Sequence, residues 1–250
     1  QPALYISVEG AGIWRSTDFE QPFPTWKCIS DNISFYTSVK NTQKIVIDPN
    51  SPNKIYITSS KQYANLNPHF KDHVILKSSD GGNTWEELLV DENIKDDDIY
   101  LVDILIDPTD KTGQTIYTSS NSIVYKSTNG GKSWNTLINT KKNATSITEL
   151  EYTLDNNNQL KLYSSYSDDT YGVFTSKDGG QIWNSIPFYK DKNKTLEDIK
   201  NFDKIKLKVN HITNEIYAAI SNQSQTIYKI YKFNNDGFYP TLNKGTVVGE

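Results

Sequence analysis

The sequence predicts an all-β fold, a β-propeller of about five four-stranded antiparallel blades, and three observations carry that prediction. First, the stretch "SSDGGNTW" at 78–85 returns as "STNGGKSW" at 127–134 and "SKDGGQIW" at 176–183, with Asp80, Asn129 and Asp178 spaced 49 residues apart. A fixed period of that length marks a repeat architecture and outranks any local reading of the motif. Second, apolar and polar residues alternate around every copy, the period of a half-buried strand. Third, an aliphatic-tyrosine pair recurs at Leu4-Tyr5, Ile55-Tyr56, Ile116-Tyr117, Leu162-Tyr163 and Ile216-Tyr217, once per repeat.

Taken in order, each repeat supplies strands A to D. The first begins directly with strand B, "LYISV" from residue 4, and carries a weak box in "RSTDFEQPFPTW" that keeps Ser16, Asp18 and Trp26. The second reads "KIVIDP" (44–49), "KIYITSS" (54–60), "VILKSSD" (74–80) and "TWEELL" (84–89). The third reads "DILIDP" (103–108), "QTIYTSS" (114–120), "SIVYKST" (122–128) and "SWNTLI" (133–138). The fourth offers "ITELEYTLD", "QLKLYSS", "YGVFTSK" and "IWNSIP"; the fifth offers "FDKIKLKVN", "EIYAAIS", "TIYKIYKF" and "FYPTL". In the fifth the box has decayed to "YKFNNDGFY", which keeps Asn235 and Gly237 and has no tryptophan. The first repeat lacks a strand A, and "GTVVG" (245–249) is a spare β-prone segment that would complete it and close the ring, removing an open edge. The expected organisation is one domain over 1–250, with blades at about 1–30 plus 245–249, 44–89, 102–138, 147–187 and 202–242. The rival expectation is a fragment of a larger propeller.

The box joins strands C and D, so it is a hairpin turn. An Asp or Asn two residues after Ser can accept backbone N–H bonds and hold the turn. The glycines at 82, 131 and 180 are expected at positive φ. The tryptophans at 85, 134 and 183 are expected to fold back between strands C and D, a burial of about 2–3 kcal/mol each. Ser78, Asp80, Gly82 and Trp85 thus read as structural, as do Ser127, Asn129, Gly131 and Trp134, and Ser176, Asp178, Gly180 and Trp183.

The pattern S-x-D-x-G-x-T-W, matched in full by Ser78, Asp80, Gly82, Thr84 and Trp85, resembles the Asp-box or BNR repeat. That repeat occurs in sialidases, in xyloglucan-degrading glycoside hydrolases and in receptor propellers of the sortilin type. "IDPNSPNKIY" followed by "ILKSSDGGNTW" is most similar to the latter two groups. The resemblance implies a propeller whose boxes are structural and lie away from the binding face. A sialidase resemblance would further imply three arginines clasping a carboxylate, and this chain has one, Arg15, at the strand C position held elsewhere by Lys77, Lys126 and Lys232. Xyloglucanase chemistry needs two carboxylates flanking the scissile bond, which the family sets between two large propellers. Asp48 and Asp107 recur with Asp155 and Asn210 at the same point of each repeat, so they read as A–B turn residues.

Composition narrows the classes further. The net charge is −4 with no long basic block, which disfavours nucleic acid and anionic membranes as partners. No apolar run reaches membrane-spanning length. The lone Cys28 excludes an intrachain disulfide and reads as a buried strand residue, and no cofactor is expected. His69, His73 and His211 show no metal-ligand spacing, and the acidic "DDD" at 96–98 and "DD" at 168–169 follow no calcium-loop pattern, so no metal is expected either. The chain has no methionine and starts at Gln1-Pro2, which leads to the expectation of a secreted, periplasmic or otherwise exported protein whose leader has been removed, or of a piece of a longer chain.

If repeated residues build the fold, function belongs where the repeat breaks. In a propeller the B–C loops and D-to-A crossovers share one face and the boxes lie on the other. The irregular segments here are the B–C loop 61–73 and the crossovers 31–41, 91–100 and 189–201. They carry the ligand-binding candidates Phe35, Tyr36, Tyr63, His69, Phe70, Tyr100 and Tyr189, joined by Tyr166 and Tyr171. Aromatics beside Asn, Asp and Lys suit a protein hot spot and equally carbohydrate stacking. The expected function is a non-catalytic recognition propeller for a protein or peptide. The alternatives are a glycan-binding propeller and an Asp-box glycoside hydrolase or a subunit of one.

Overall fold

The computed structural model of the protein describes residues 2–8, 11–31, 33, 42–59, 74–90, 100–139, 146–167, 172–198, 204–221 and 227–241. They form five antiparallel sheets and no helix, in two compact bodies, Gln1–Asn139 and Thr140–Glu250.

The first body holds three sheets. Sheet 1 orders β1 (Leu4–Val8), β2 (Gly12–Ser16) and β3 (Lys27–Cys28). Sheet 2 is β4 (Thr42–Asp48), β5 (Ser51–Ser59), β6 (Val74–Ser78) and β7 (Glu86–Leu89); sheet 3 is β8 (Leu101–Ile106), β9 (Ile116–Ser120), β10 (Ile123–Ser127) and β11 (Asn135–Asn139). The second body holds sheet 4, with β12 (Ser146–Leu154), β13 (Leu160–Ser167), β14 (Gly172–Ser176) and β15 (Asn184–Ile186). Its sheet 5 is β16 (Lys204–Asn210), β17 (Glu215–Ser221), β18 (Ile227–Asn234) and β19 (Gly237–Pro240). Every sheet is a meander in sequence order, the pattern of a propeller blade. Sheet 1 has three strands among the described residues, and Leu4, Ile6 and Val8 of β1 are exposed, as a repeat short of strand A requires. Residues 245–249, expected to complete it, lie outside the described residues.

Alternating side chains place a cluster between consecutive sheets of each body. Ile55, Ile57, Val74 and Leu76 of sheet 2 meet Ile13 and Ile29 of sheet 1. Tyr56, Ile75 and Leu88 point the other way, onto Leu101, Ile104, Ile116 and Tyr125 of sheet 3. Sheet 2 is therefore buried on both faces, which is why "VILKS" shows little alternation. In the second body Val173 and Ile186 of sheet 4 pack against Ile205, Leu207, Ile216 and Phe238 of sheet 5. Each such aliphatic burial contributes about 1.5–3 kcal/mol. The A strands add ion pairs across the same interfaces: Lys44 to Asp103 at 2.8 Å in the first body, and Lys206 to Glu149 and Lys208 to Glu151 in the second.

Two repeated features acquire a physical reason. The strand B tyrosine and the strand C cation face each other in the ladder, as Tyr5 with Arg15, Tyr56 with Lys77, Tyr117 with Lys126 and Tyr217 with Lys232. Arg15, Lys126 and Lys232 lie over the facing rings at 6.0, 5.2 and 5.6 Å, cation–π distances. Sheet 4 has Thr175 opposite Tyr163, and Lys161 of its own strand B covers that ring instead, at 5.3 Å. The A–B turn residues all make one bond: Asp48, Asp107, Asp155 and Asn210 each accept, through Oδ1, the backbone N–H two residues on. They are turn formers, as the recurrence of an asparagine among them indicates.

Candidate functional site

The box is built around a buried serine. Ser78 Oγ donates to Asp80 Oδ1 at 2.8 Å and accepts the N–H of Gly82 at 2.8 Å. Asp80 then gathers Thr84 Oγ1 (2.6 Å) and the amides of Asn83 and Thr84 (2.9 Å each). These bonds, the Thr84 hydroxyl foremost, hold its carboxyl at about 2. Ser176 and Asp178 repeat the serine and amide bonds, with Ile182 in the place of Thr84 and so no hydroxyl bond, and in sheet 3 Asn129 replaces the carboxylate, its Nδ2 donating to Ser133 Oγ at 2.7 Å. The degenerate first copy rebuilds it across an insertion, since Asp18 receives Thr25 Oγ1 at 2.8 Å. Gly82, Gly131 and Gly180 stand at φ 93°, 90° and 93°, as expected. All of these carboxylates are engaged in shaping turns.

Two of the tryptophans depart from expectation, while Trp183 keeps to its own box, its Nε1 donating to the Gly180 carbonyl at 2.9 Å. Trp85 is not confined between its own strands C and D; its Nε1 donates to the carbonyl of Ile29 in sheet 1 at 3.0 Å, and its ring joins the cluster between sheets 1 and 2. Trp134 likewise joins the cluster between sheets 2 and 3. The box glycines touch the same neighbours: a Cβ on Gly82 would lie 2.5 Å from Ile29 Cδ1, and one on Gly131 would lie 2.5 Å from Leu88 Cδ1. The box thus clasps the D strand of the preceding sheet. Burying an indole requires a second sheet, which a single hairpin lacks.

Of the ligand-binding candidates, Phe35, Tyr36, Tyr63, His69, Phe70 and Tyr171 lie outside the described residues, as do the acidic loops 96–98 and 168–169. Tyr100 is half-buried at the start of β8, its carbonyl accepting the Asn121 N–H at 3.1 Å. Tyr166, expected to be exposed, is 3 % exposed, with its ring edge-on to Phe174 at 4.9 Å; it alternates into the core because strand B runs on to Ser167. Burial pushes its phenol above the ordinary range. Tyr189 is also placed differently. Residues 188–197 form a small hairpin, with Tyr189 bridging Leu196, and the hairpin adds to the outer edge of sheet 5 through Tyr189 N–H to the Phe238 carbonyl and Phe238 N–H to the Pro187 carbonyl, both 2.8 Å. The Tyr189 ring packs on Tyr239 at 5.0 Å, beside the C–D turn of sheet 5. Glu197 fastens the far end: Lys229 Nζ donates at 2.8 Å and Tyr231 OH at 2.7 Å. Burial alone would raise the Glu197 carboxyl, and these two bonds outweigh it and leave it lowered.

A cleft of about 430 Å³ opens on the box side of the second body, between sheets 4 and 5. Asn184, Ile186 and Pro187 line it from sheet 4, Phe233, Asn235 and Asp236 from sheet 5, and Lys161 and Lys177 stand with them. Its position follows from the decayed fifth box. Eight residues, 78–85, separate the paired Lys77 and Glu86, whereas six, 233–238, separate Lys232 and Tyr239. Phe233 stands where the box serine would be, and the tryptophan is gone. The signal that would have found this site is two broken columns, Thr175 for a cation and Phe233 for a serine. Among the described residues no three His, Cys, Asp or Glu side chains gather as a metal site, and no helix is long and apolar enough to cross a membrane.

No family model matches the chain, and no curated protein matches it. Solved structures do. An ancestral GH74 enzyme is 15 % identical with a TM-score of 0.56, over 96 % of this chain and 36 % of its own. YCF48 bound to D1 peptide is 14 % identical with a TM-score of 0.50, over 83 % of this chain and 54 % of its own. The α-L-arabinanase of Penicillium chrysogenum complexed with arabinobiose is 12 % identical with a TM-score of 0.51, over 91 % and 71 %. The chain thus spans about a third of the GH74 enzyme and about half of YCF48. These likenesses establish the β-propeller fold.

Proposed function

We propose that the chain is a non-catalytic recognition propeller of the Asp-box type that binds a protein or peptide partner and acts as one exported domain. One observation carries the reading: every carboxylate that recurs with the repeat, at 18, 48, 80, 107, 155 and 178, accepts bonds from its own turn. An acid or base in catalysis must exchange a proton with substrate, and groups held this way are committed to the fold. The structural likeness to a propeller bound to a peptide supports a peptide partner. The irregular segments with Phe35, Tyr36, Tyr63, His69, Phe70, Tyr100 and Tyr171 are proposed as the contact face.

The structural likeness to an arabinanase bound to a disaccharide favours a second reading, a glycan-binding or glycan-cleaving propeller. Incubating the purified chain with a mixed oligosaccharide library and reading retained and cleaved species by mass spectrometry separates the two. An unchanged library is expected. Cleavage products would overturn the non-catalytic reading, and selective retention would make the protein a lectin.

A further inference from the structure

The cleft between sheets 4 and 5 sits where a box tryptophan packs elsewhere. Counting three residues on from Trp26, Trp85 and Trp183 gives Ile29, Leu88 and Ile186, on or just past the D strands of sheets 1, 2 and 4. The next sheet's box covers the first two, with Gly82 against Ile29 and Gly131 against Leu88. At Ile186 the glycine contact is missing, since Gly237 turns to Tyr189 and the Pro187 carbonyl; Ile186 is packed instead by its own core cluster and only edges the cleft. The opposite wall holds Phe233, which is edge-on to the buried Tyr163 of sheet 4 at 6.2 Å, with Lys161 5.3 Å from both rings. Its acids are already engaged, Asp178 by Ser176 and its own turn amides, Asp236 by Lys194 and Tyr239. Neither Lys161 nor Lys177 is paired with a carboxylate among the described residues. The cleft therefore combines the place of a missing box tryptophan with two lysines that no described carboxylate pairs, beside the ionised, turn-bound Asp178.

We infer that this cleft takes an aromatic side chain, an indole foremost, from an extended partner peptide whose neighbouring residues are acidic. The inference rests on the peptide-binding reading and adds a site and a sequence preference to it. An indole set against Ile186 and Phe233 would restore in trans the packing that the fifth repeat lost, and aromatic anchors of this kind dominate binding energy at peptide interfaces. Acidic neighbours would meet the ammonium groups of Lys161 and Lys177, which favours capture and register.

Panning a displayed library of random twelve-residue peptides on the native chain tests this. The enriched clones are expected to carry Trp, and less often Tyr, beside Asp or Glu. A synthetic copy of the strongest clone should bind at least tenfold more weakly after its aromatic residue is changed to alanine. It should weaken equally on Asn184→Trp, which fills the cleft from an exposed position, and on Lys177→Glu, while both variants keep the parent's thermal unfolding midpoint. Clones without an aromatic residue, or clones that bind both variants as well as the parent, would overturn the inference and leave peptide recognition standing elsewhere on the chain. No enriched clone, with selective retention of oligosaccharides, would overturn the inference and the peptide reading together. No enriched clone with an unchanged oligosaccharide library would overturn the inference alone.

Discussion

The hydroxyl of Ser78 receives the amide protons of Asp80 and Gly82 and gives its own proton to the Asp80 carboxylate. Ser78→Ala leaves the buried Gly82 N–H without a partner, at a cost of about 1–3 kcal/mol, measurable as a lower urea midpoint. Asp80→Asn should be nearly neutral at pH 7, because Asn129 already does the same work in sheet 3. The two residues differ in acid. The Asp80 carboxyl falls from an ordinary 3.8 to about 2 in the fold, with Asp18 and Asp178 lowered as well. Groups lowered on folding contribute stability that is complete above their unfolded values and is lost as pH falls through the folded ones. Stability should therefore hold from pH 7 to about 5 and decline between roughly pH 4 and 2. The decline should be shallower in Asp80→Asn, and unfolding midpoints read at pH 7, 4 and 2.5 check both.

At the scale of elements, the hairpin 188–197 shows what one crossover does. Sheet 5 ends in β19, whose free edge would invite pairing with another chain; the hairpin occupies it, and Phe188 stacks on Phe238 at 4.7 Å. Glu197 is the far anchor. Glu197→Ala removes two bonds from a partly buried carboxylate and should cost about 1–3 kcal/mol. Faster amide exchange at Tyr189 and Phe238, with the ladder of β16 and β17 unchanged, is the expected signature; uniform acceleration would mean that the hairpin is integral to the sheet. The sequence showed this segment only as a long crossover without repeat character, because its partners are 30 to 50 residues away and follow no period. Leu196 lies far from any alternating run, and Phe188 follows the Pro187 of "IWNSIP", which reads as the end of that strand.

Across the whole molecule, stability should behave as a sum of sheets and of the contacts between neighbours. Leu88→Ala empties the site under the Gly131 box and should cost about 2–5 kcal/mol. Exchange should quicken in β6 to β11 and stay at the parental rate in β16 to β19. Much of this architecture was legible beforehand, because alternation, the 49-residue period and the Leu/Ile-Tyr pair are local signals repeated several times. Trp85 was legible as buried but not as to where, since the choice between its own hairpin and Ile29 depends on how sheets stack. Tyr166 misled for the opposite reason: it follows the expected end of strand B at Ser165, and the strand runs two residues further and turns it inward. The cleft at Ile186 was present only as two substitutions against the pattern, each unremarkable alone.

Sheet 4 keeps its ammonium over Tyr163 although the column that supplies it in sheets 1, 3 and 5 holds Thr175, because Lys161 reaches the same ring from the tyrosine's own strand. An alignment of the repeats scores position 175 as a loss, while the ring of Tyr163 keeps a cation all the same. What the repeats share at this point is a pairing and not a letter, and with Lys161 in that role the ring does not need a cation at position 175.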